Sequence, residues 1–266
     1  MRAILIGFTV CIPALVLPNT NVDTAQIVAL LALFATALTF FEYASVYPGL
    51  VEFRDAPPFN RIRFLALFFM LLMMSAATDA RHEPNTFNLF IEALGEMISR
   101  ALDVPYSPVR LFLLALPEHS SPAHIEAVRT AAGMSYFISI MALFIFVLSM
   151  RLRGWPVAKS TFNVWVNLPT FDPTAGGDVI ERLRRDAWFN VALGFLLPFL
   201  VPAAIKLVSM NFVSITLVNP HTLIWTVTAW AFLPASLFMR GIAMGRVATM
   251  IEVKRRARDG SDFVPA

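Results

Sequence analysis

Charge and cysteine are what this chain has least of. Only 15% of its 266 residues are charged and 58% are hydrophobic, whereas soluble domains carry about 25% charge. A surface that poor in polar side chains does not keep a folded domain in water, so the composition predicts a lipid bilayer as the solvent. The single cysteine, Cys11, excludes an intramolecular disulfide and any site made of several thiolates. It sits in "FTVC", without the small residue that precedes a lipid-modified cysteine, and reads as a packed thiol. Histidine is scarce as well, at four; none lies at the centre of an apolar run, which argues against haem held inside the bilayer. The basic residues form no stripe interleaved with aromatics, so no nucleic-acid partner is expected. Phosphate-loop and nucleophile-elbow signatures are missing too: "TAGGDVIERL" has a glycine pair before a helix but no Lys-Ser/Thr.

What the chain has is long apolar runs. A spanning helix needs about 20 apolar residues to cross roughly 30 Å of hydrocarbon. Six segments meet or approach that: 3–18, 25–47, 61–80, 131–150, 187–206 and 221–241. The first is short and interrupted by Pro13, but "NVDTA" after it places Asp23 where signal cleavage wants a small residue, so it reads as an uncleaved helix. Lysine and arginine then give the orientation. With the N-terminus inside, sixteen of the twenty-one basic residues fall on the inner side, leaving Arg81, Arg100, Arg110, Arg129 and Lys206 outside. The expected fold is an all-α polytopic membrane protein: one membrane domain over 1–266, about six transmembrane helices, N-in/C-in, with amphipathic interfacial helices. Arginine in place of lysine, eighteen against three, suggests a GC-rich bacterial genome and hence a bacterial inner (cytoplasmic) membrane.

The first inner connection, "FEYASVYPGLVEFRDAPPFNRIRF", is rich in charge and proline. Glu42 lies about 22 Å along a helix whose apolar run starts at Ile27, which places a carboxylate at the edge of the hydrocarbon, where it needs a partner. Arg61 and Arg63, at the start of the next helix, are the expected partners. Glu52, Arg54 and Asp55 complete a set that is an ion-paired turn, a docking surface for a cytoplasmic partner or the floor of a polar cavity. On this reading Glu42→Leu is tolerated less well than Glu52→Ala.

The outer connection, 81–130, carries its own structure. "NTFNLFIEALGEMISRALD" has caps at Asn85 and Thr86, then Phe87, Phe90, Ile91, Leu94, Met97, Ile98 and Ala101 on one helical face. Such a helix is expected on the outer membrane boundary or on other helices. "VRLFLLAL" is too short to span, and Ser121 with Pro122 starts another helix. In the inner loop 151–186, "FNVWVNL" alternates as an extended or interfacial segment does, and "AGGDVIERLRRDAW" reads as an amphipathic helix running into the fifth span.

Few residues suggest chemistry. His82, His119 and His124, with His221, all fall on the outer side and can ligate zinc or copper, but His119 and His124 are five apart and share no helical face; solvated loop histidines are the simpler reading. No cofactor is expected. Pro13, Pro198, Pro202 and Pro234 interrupt apolar helices, as in proteins that line a solute path and in many that do not. "GIAMG" at 241–245 permits close helix approach, and the tail "EVKRRARDG" can meet anionic inner-leaflet lipids. These features favour a non-enzymatic accessory, scaffold or assembly component with a membrane-protein partner. A permease for a weakly polar solute is the alternative. An inner-surface lipid-modifying enzyme using Glu52, Arg54, Asp55, Asn60 and Arg61 comes third.

Overall fold

The computed structural model describes residues 1–18, 20–81, 84–155, 163–172, 174, 176–211 and 217–261. Among them are nine helices and no strand: α1 (Arg2–Val16), α2 (Val22–Ala44), α3 (Phe59–Asp79), α4 (Thr86–Leu102), α5 (Pro108–Leu114), α6 (Pro122–Arg153), α7 (Val164–Asn167), α8 (Val179–Asn211) and α9 (Pro220–Ser261). Five are long and apolar enough to cross a membrane: α2, α3, α6, α8 and α9. The protein is therefore a helical membrane protein. The first expected span, 3–18, is a shorter apolar helix outside those five. α1 has 15 residues, about 22 Å at 1.5 Å per residue, because Leu17 turns extended ahead of Pro18.

Three helices form the centre. α3, α6 and α9 each touch the other two, and bury Met70, Leu71, Val128, Ile224 and Val227 between them. α4 lies on α3 and α6, α5 on α6 and α8, and α8 on α9. α2 is the outlier. Among the described helices it packs on α1 alone, and Val28 and Ala32 are its only buried residues. One end of the bundle, here the N-terminal end, gathers the start of α1, the end of α2, the start of α3, the end of α6, the start of α8 and the later turns of α9. Arg2 over the Tyr43 ring, Phe59 against Phe146, and Arg184 with Glu252 fix that grouping. The distal end carries α4 and α5.

Close helix contacts depend on glycine. A Cβ on Gly95 would meet Met134 Sδ at 2.4 Å, and one on Gly133 would meet Ser99 Cα at 2.4 Å. This reciprocal notch seats α4 on α6 by its small and polar residues. Asn88, Ile91, Gly95 and Ser99 face inward, while Phe87, Phe90 and Met97 of the apolar stripe stay exposed. The sequence pattern names the stripe, but backbone approach decides which face packs. Two further departures are local. "FNVWVNL" contains a helical turn at Val164–Asn167, where an extended or interfacial segment was expected, and α9 runs on to Ser261, well past 241. The caps fall as foreseen: Asn85 Oδ1 accepts from Asn88 N–H, and Ser121 Oγ from His124 N–H.

One of the two prolines inside α8, Pro202, is compensated from α9. Pro202 has no N–H to give the carbonyl of Pro198, four residues earlier. Trp230 Nε1–H donates to that carbonyl at 3.0 Å. Trp230→Phe should therefore lower stability by about 1–3 kcal/mol, the range for an abandoned buried acceptor. Adding Pro202→Ala restores an N–H at position 202 and should recover part of the loss. Thermal unfolding of the detergent-purified variants checks this; a double variant no better than the single would show that Trp230 acts by volume alone.

Candidate functional site

The connection between α2 and α3 is held from four directions. Glu42, on the last turn of α2, accepts the backbone N–H groups of Gly49, Leu50 and Val51 at 2.8–3.2 Å. Arg54 Nη1–H donates to the carbonyls of Ser45 and Glu42 at 2.6 and 3.2 Å, which caps the C-terminus of α2. Asn60, on α3, donates to the Glu52 carbonyl at 2.6 Å. Asn167, at the end of α7, accepts Asp55 N–H on its side chain and Phe53 N–H on its backbone. Phe53 is buried, packs 4.6 Å from the Phe59 ring, and holds φ at +50°. For an aromatic residue that is a costly backbone geometry which only surrounding contacts maintain.

Glu52 is the anchor of this layer. Its carboxylate takes a two-pronged bond from Arg240, Nε–H to Oε2 at 2.6 Å and Nη2–H to Oε1 at 2.8 Å. Thr170 Oγ1–H donates to Oε1 at 2.7 Å, and Arg240 Nη1–H donates to Asn190 Oδ1 at 2.9 Å. The fork-to-carboxylate geometry is the strongest arrangement these groups have. It joins the first connection to the segment before α8, to α8 itself and to α9. Asp178, ahead of α8, takes Arg255 Nη1–H and caps Ile180 N–H. The bond from Arg255, then that from Ile180, holds its carboxyl below the usual range.

Beside this layer lies a cleft of about 490 Å3 between the α1–α2 hairpin and the start of α3. Arg2, Arg54, Arg61 and Arg63 line it with Tyr43 and Asn60, and no acidic side chain does. Apolar groups form most of the remaining wall, among them Leu5, Ile6, Phe64, Leu65 and Phe232. Arg54 is partly satisfied by Asp55 at 3.5 Å. Arg63 is half-buried, bonded to Ser236 Oγ at 3.3 Å, its guanidinium near the rings of Phe59 and Phe232. Arg2, Arg61 and Arg63 have no carboxylate within 4 Å among the described residues. The distal end is different. There Arg81 pairs with Glu92, Arg100 with Glu96 and Glu126, Arg110 with Asp103, and Arg129 with Asp103 and Glu126.

The first inner connection thus brings its predicted residues together, with different pairings. Glu42 serves the loop backbone where Arg61 and Arg63 were its expected partners. Those arginines face the cleft, and Glu52 is paired and buried while Asp55 is exposed. Arg240, Thr170, Asn190, Arg2 and Tyr43 were not read as site residues; a lone arginine inside the last apolar run was the available hint for Arg240. His82 lies outside the described residues. His119 is exposed on the turn before α6 and His124 is in the first turn of α6. Among the described residues no group of three or more His, Cys, Asp or Glu could hold a metal ion. His221 Nε2 lies 3.2 Å from Thr20 Oγ1. Comparison with family models, curated proteins and solved structures returns no match for this chain.

Proposed function

We propose that this is a non-enzymatic, six-span membrane protein, with α1 as the sixth span and both ends of the chain cytoplasmic, whose cleft at the N-terminal end binds an anionic group. It belongs on this reading to the accessory and assembly components of a bacterial inner-membrane complex. One observation carries the reading: three guanidiniums without carboxylates share one cleft, while every described arginine at the distal end is paired. Orientation by positive charge explains why arginines gather at this end, but not why they converge on a cavity free of acids.

A membrane-protein partner along α2 is a second reading, favoured by the packing of α2 on α1 alone. The permease alternative loses support from α8, where Trp230 takes up the carbonyl that Pro202 frees.

The test is thermal stability of the purified full-length protein against a panel of soluble and lipid phosphates. At a hundredfold excess over Kd, a true ligand adds about 2.7 kcal/mol. At least one member should stabilise the native protein, and the Arg2→Gln/Arg61→Gln variant should lose the effect. No response to any member would reject the reading.

A further inference from the structure

Resting on the anion-binding reading, we infer that the occupant of the cleft is an anionic phospholipid taken from the surrounding bilayer, its phosphate on Arg2, Arg61 and Arg63 and its upper acyl chain on the apolar wall. Three features of the cleft define that ligand. The first is its polarity gradient. The guanidiniums lie where α1 and α3 begin, and the wall then turns apolar toward Leu67, six residues beyond Arg61, about 9 Å along the helix. An anionic amphiphile has that gradient. A soluble anion would satisfy the arginines and leave the apolar wall against disordered water. The second is access. Thr39 and Tyr43 of α2 form one side and Phe64 and Leu65 of α3 the other, yet α2 and α3 make no helix-to-helix contact. Only α1, which forms another wall, packs on both; no α2–α3 contact closes the cleft between these two apolar helices, and a lipid can enter sideways there with its tails left in the bilayer. The third is donor chemistry. Guanidiniums offer planar paired N–H donors that match phosphate oxygens, and the Tyr43 hydroxyl and Asn60 amide add neutral polar groups suited to a glycerol backbone.

The experiment uses the full-length protein in mild neutral detergent, titrated with phosphatidylglycerol, phosphatidylcholine and glycerol phosphate, with binding read by native mass spectrometry and by thermal shift. The native protein should hold one phosphatidylglycerol in preference to phosphatidylcholine. Arg2 and Arg61 are both exposed, so Arg2→Gln/Arg61→Gln should fold. It should bind phosphatidylglycerol about 30-fold more weakly, from about 1 kcal/mol for each basic residue at the membrane surface and tenfold per 1.4 kcal/mol. Arg151→Gln/Arg246→Gln removes the same charge from exposed positions outside the cleft and should change affinity less than threefold. Thr39→Trp fills the chain-bearing side without touching a guanidinium and should also weaken phosphatidylglycerol. Stabilisation by glycerol phosphate equal to that by the lipid, unaltered by Thr39→Trp, would overturn the lipid assignment and leave the anion reading standing. Equal binding of phosphatidylcholine, or equal losses in the two arginine pairs, would overturn recognition by the cleft. Silence toward all three probes would reject the lipid, and a further silence across the wider phosphate panel would reject the anion reading as well.

Discussion

Glu52→Gln should cost about 3 kcal/mol of stability, and Glu42→Leu about 1 kcal/mol. The two carboxylates belong to the same connection and differ in what their removal leaves behind. Glu52 is buried and its side chain only 10% exposed, against Arg240 at 25%. Without it, Arg240 keeps a positive charge among α8, α9 and the loop layer, bonded to the neutral Asn190 and Thr170 and with only the unbonded charge of Asp186 nearby. Breaking a buried pair from one side typically costs about 3–5 kcal/mol because of that abandoned charge. Glu42 accepts three backbone N–H groups of an exposed loop segment, and water can replace it, so about 1 kcal/mol is the scale of its loss. This ranking reverses the one expected from sequence position. Replacing both partners, Glu52→Leu with Arg240→Met, should be milder than Glu52→Gln alone, since no charge is then left unpaired. Thermal unfolding of the purified variants measures all three. A Glu42→Leu loss at or above that of Glu52→Gln would refute the anchoring role of Glu52.

Gly241→Leu should prevent α8 and α9 from docking, with a loss of about 3 kcal/mol or more and little folded protein recovered. Any Cβ at Gly241 would lie 2.6 Å from the Ala187 carbonyl oxygen and 2.8 Å from Val191 N. Gly194 repeats the contact from the other helix, with Pro234 O and Phe238 N both at 2.7 Å. These neighbours are backbone atoms, so relief requires moving a whole helix, at the upper end of the usual overpacking cost of about 1–3 kcal/mol. Gly245, the other glycine of "GIAMG", has Ala187 Cβ at 3.8 Å. Gly245→Ala should therefore lie within about 0.5 kcal/mol of the parent, the range of uneventful substitutions. Folded yield by size-exclusion chromatography separates the two cases. Similar yields for Gly241→Leu and Gly245→Ala would mean that α8 and α9 do not meet as described.

The uneven legibility of this chain follows from what each feature depends on. Helices α2, α3, α6, α8 and α9 could be read directly, because an apolar run of sufficient length is a property of consecutive residues. Asn85 and Ser121 could be read as caps for the same reason, since the bond each makes closes within three residues. Glu52 and Arg240 are 188 positions apart, and no local pattern links them; only the meeting of α9 with the first connection does. The same holds for the cleft. Arg61 and Arg63 were visible as a basic pair, but Arg2 and Tyr43 join them only because α1 and α2 fold back on each other. The face on which α4 packs was left open by the sequence for a third reason. Its apolar stripe is the stronger sequence signal, whereas Gly95 and Gly133 decide the approach of the backbones.

The isolation of α2 also has a consequence in time. The α1–α2 hairpin, which carries Arg2, Thr39 and Tyr43, is made ahead of α3 to α9. The opposing residues, Arg61, Arg63 and Phe64, are made later, and Phe232 of α9 later still. The cleft is therefore no local feature that matures with its own stretch of chain. It comes into being only when the α1–α2 hairpin meets α9, so a lipid seated there would fasten together helices that are far apart in the sequence.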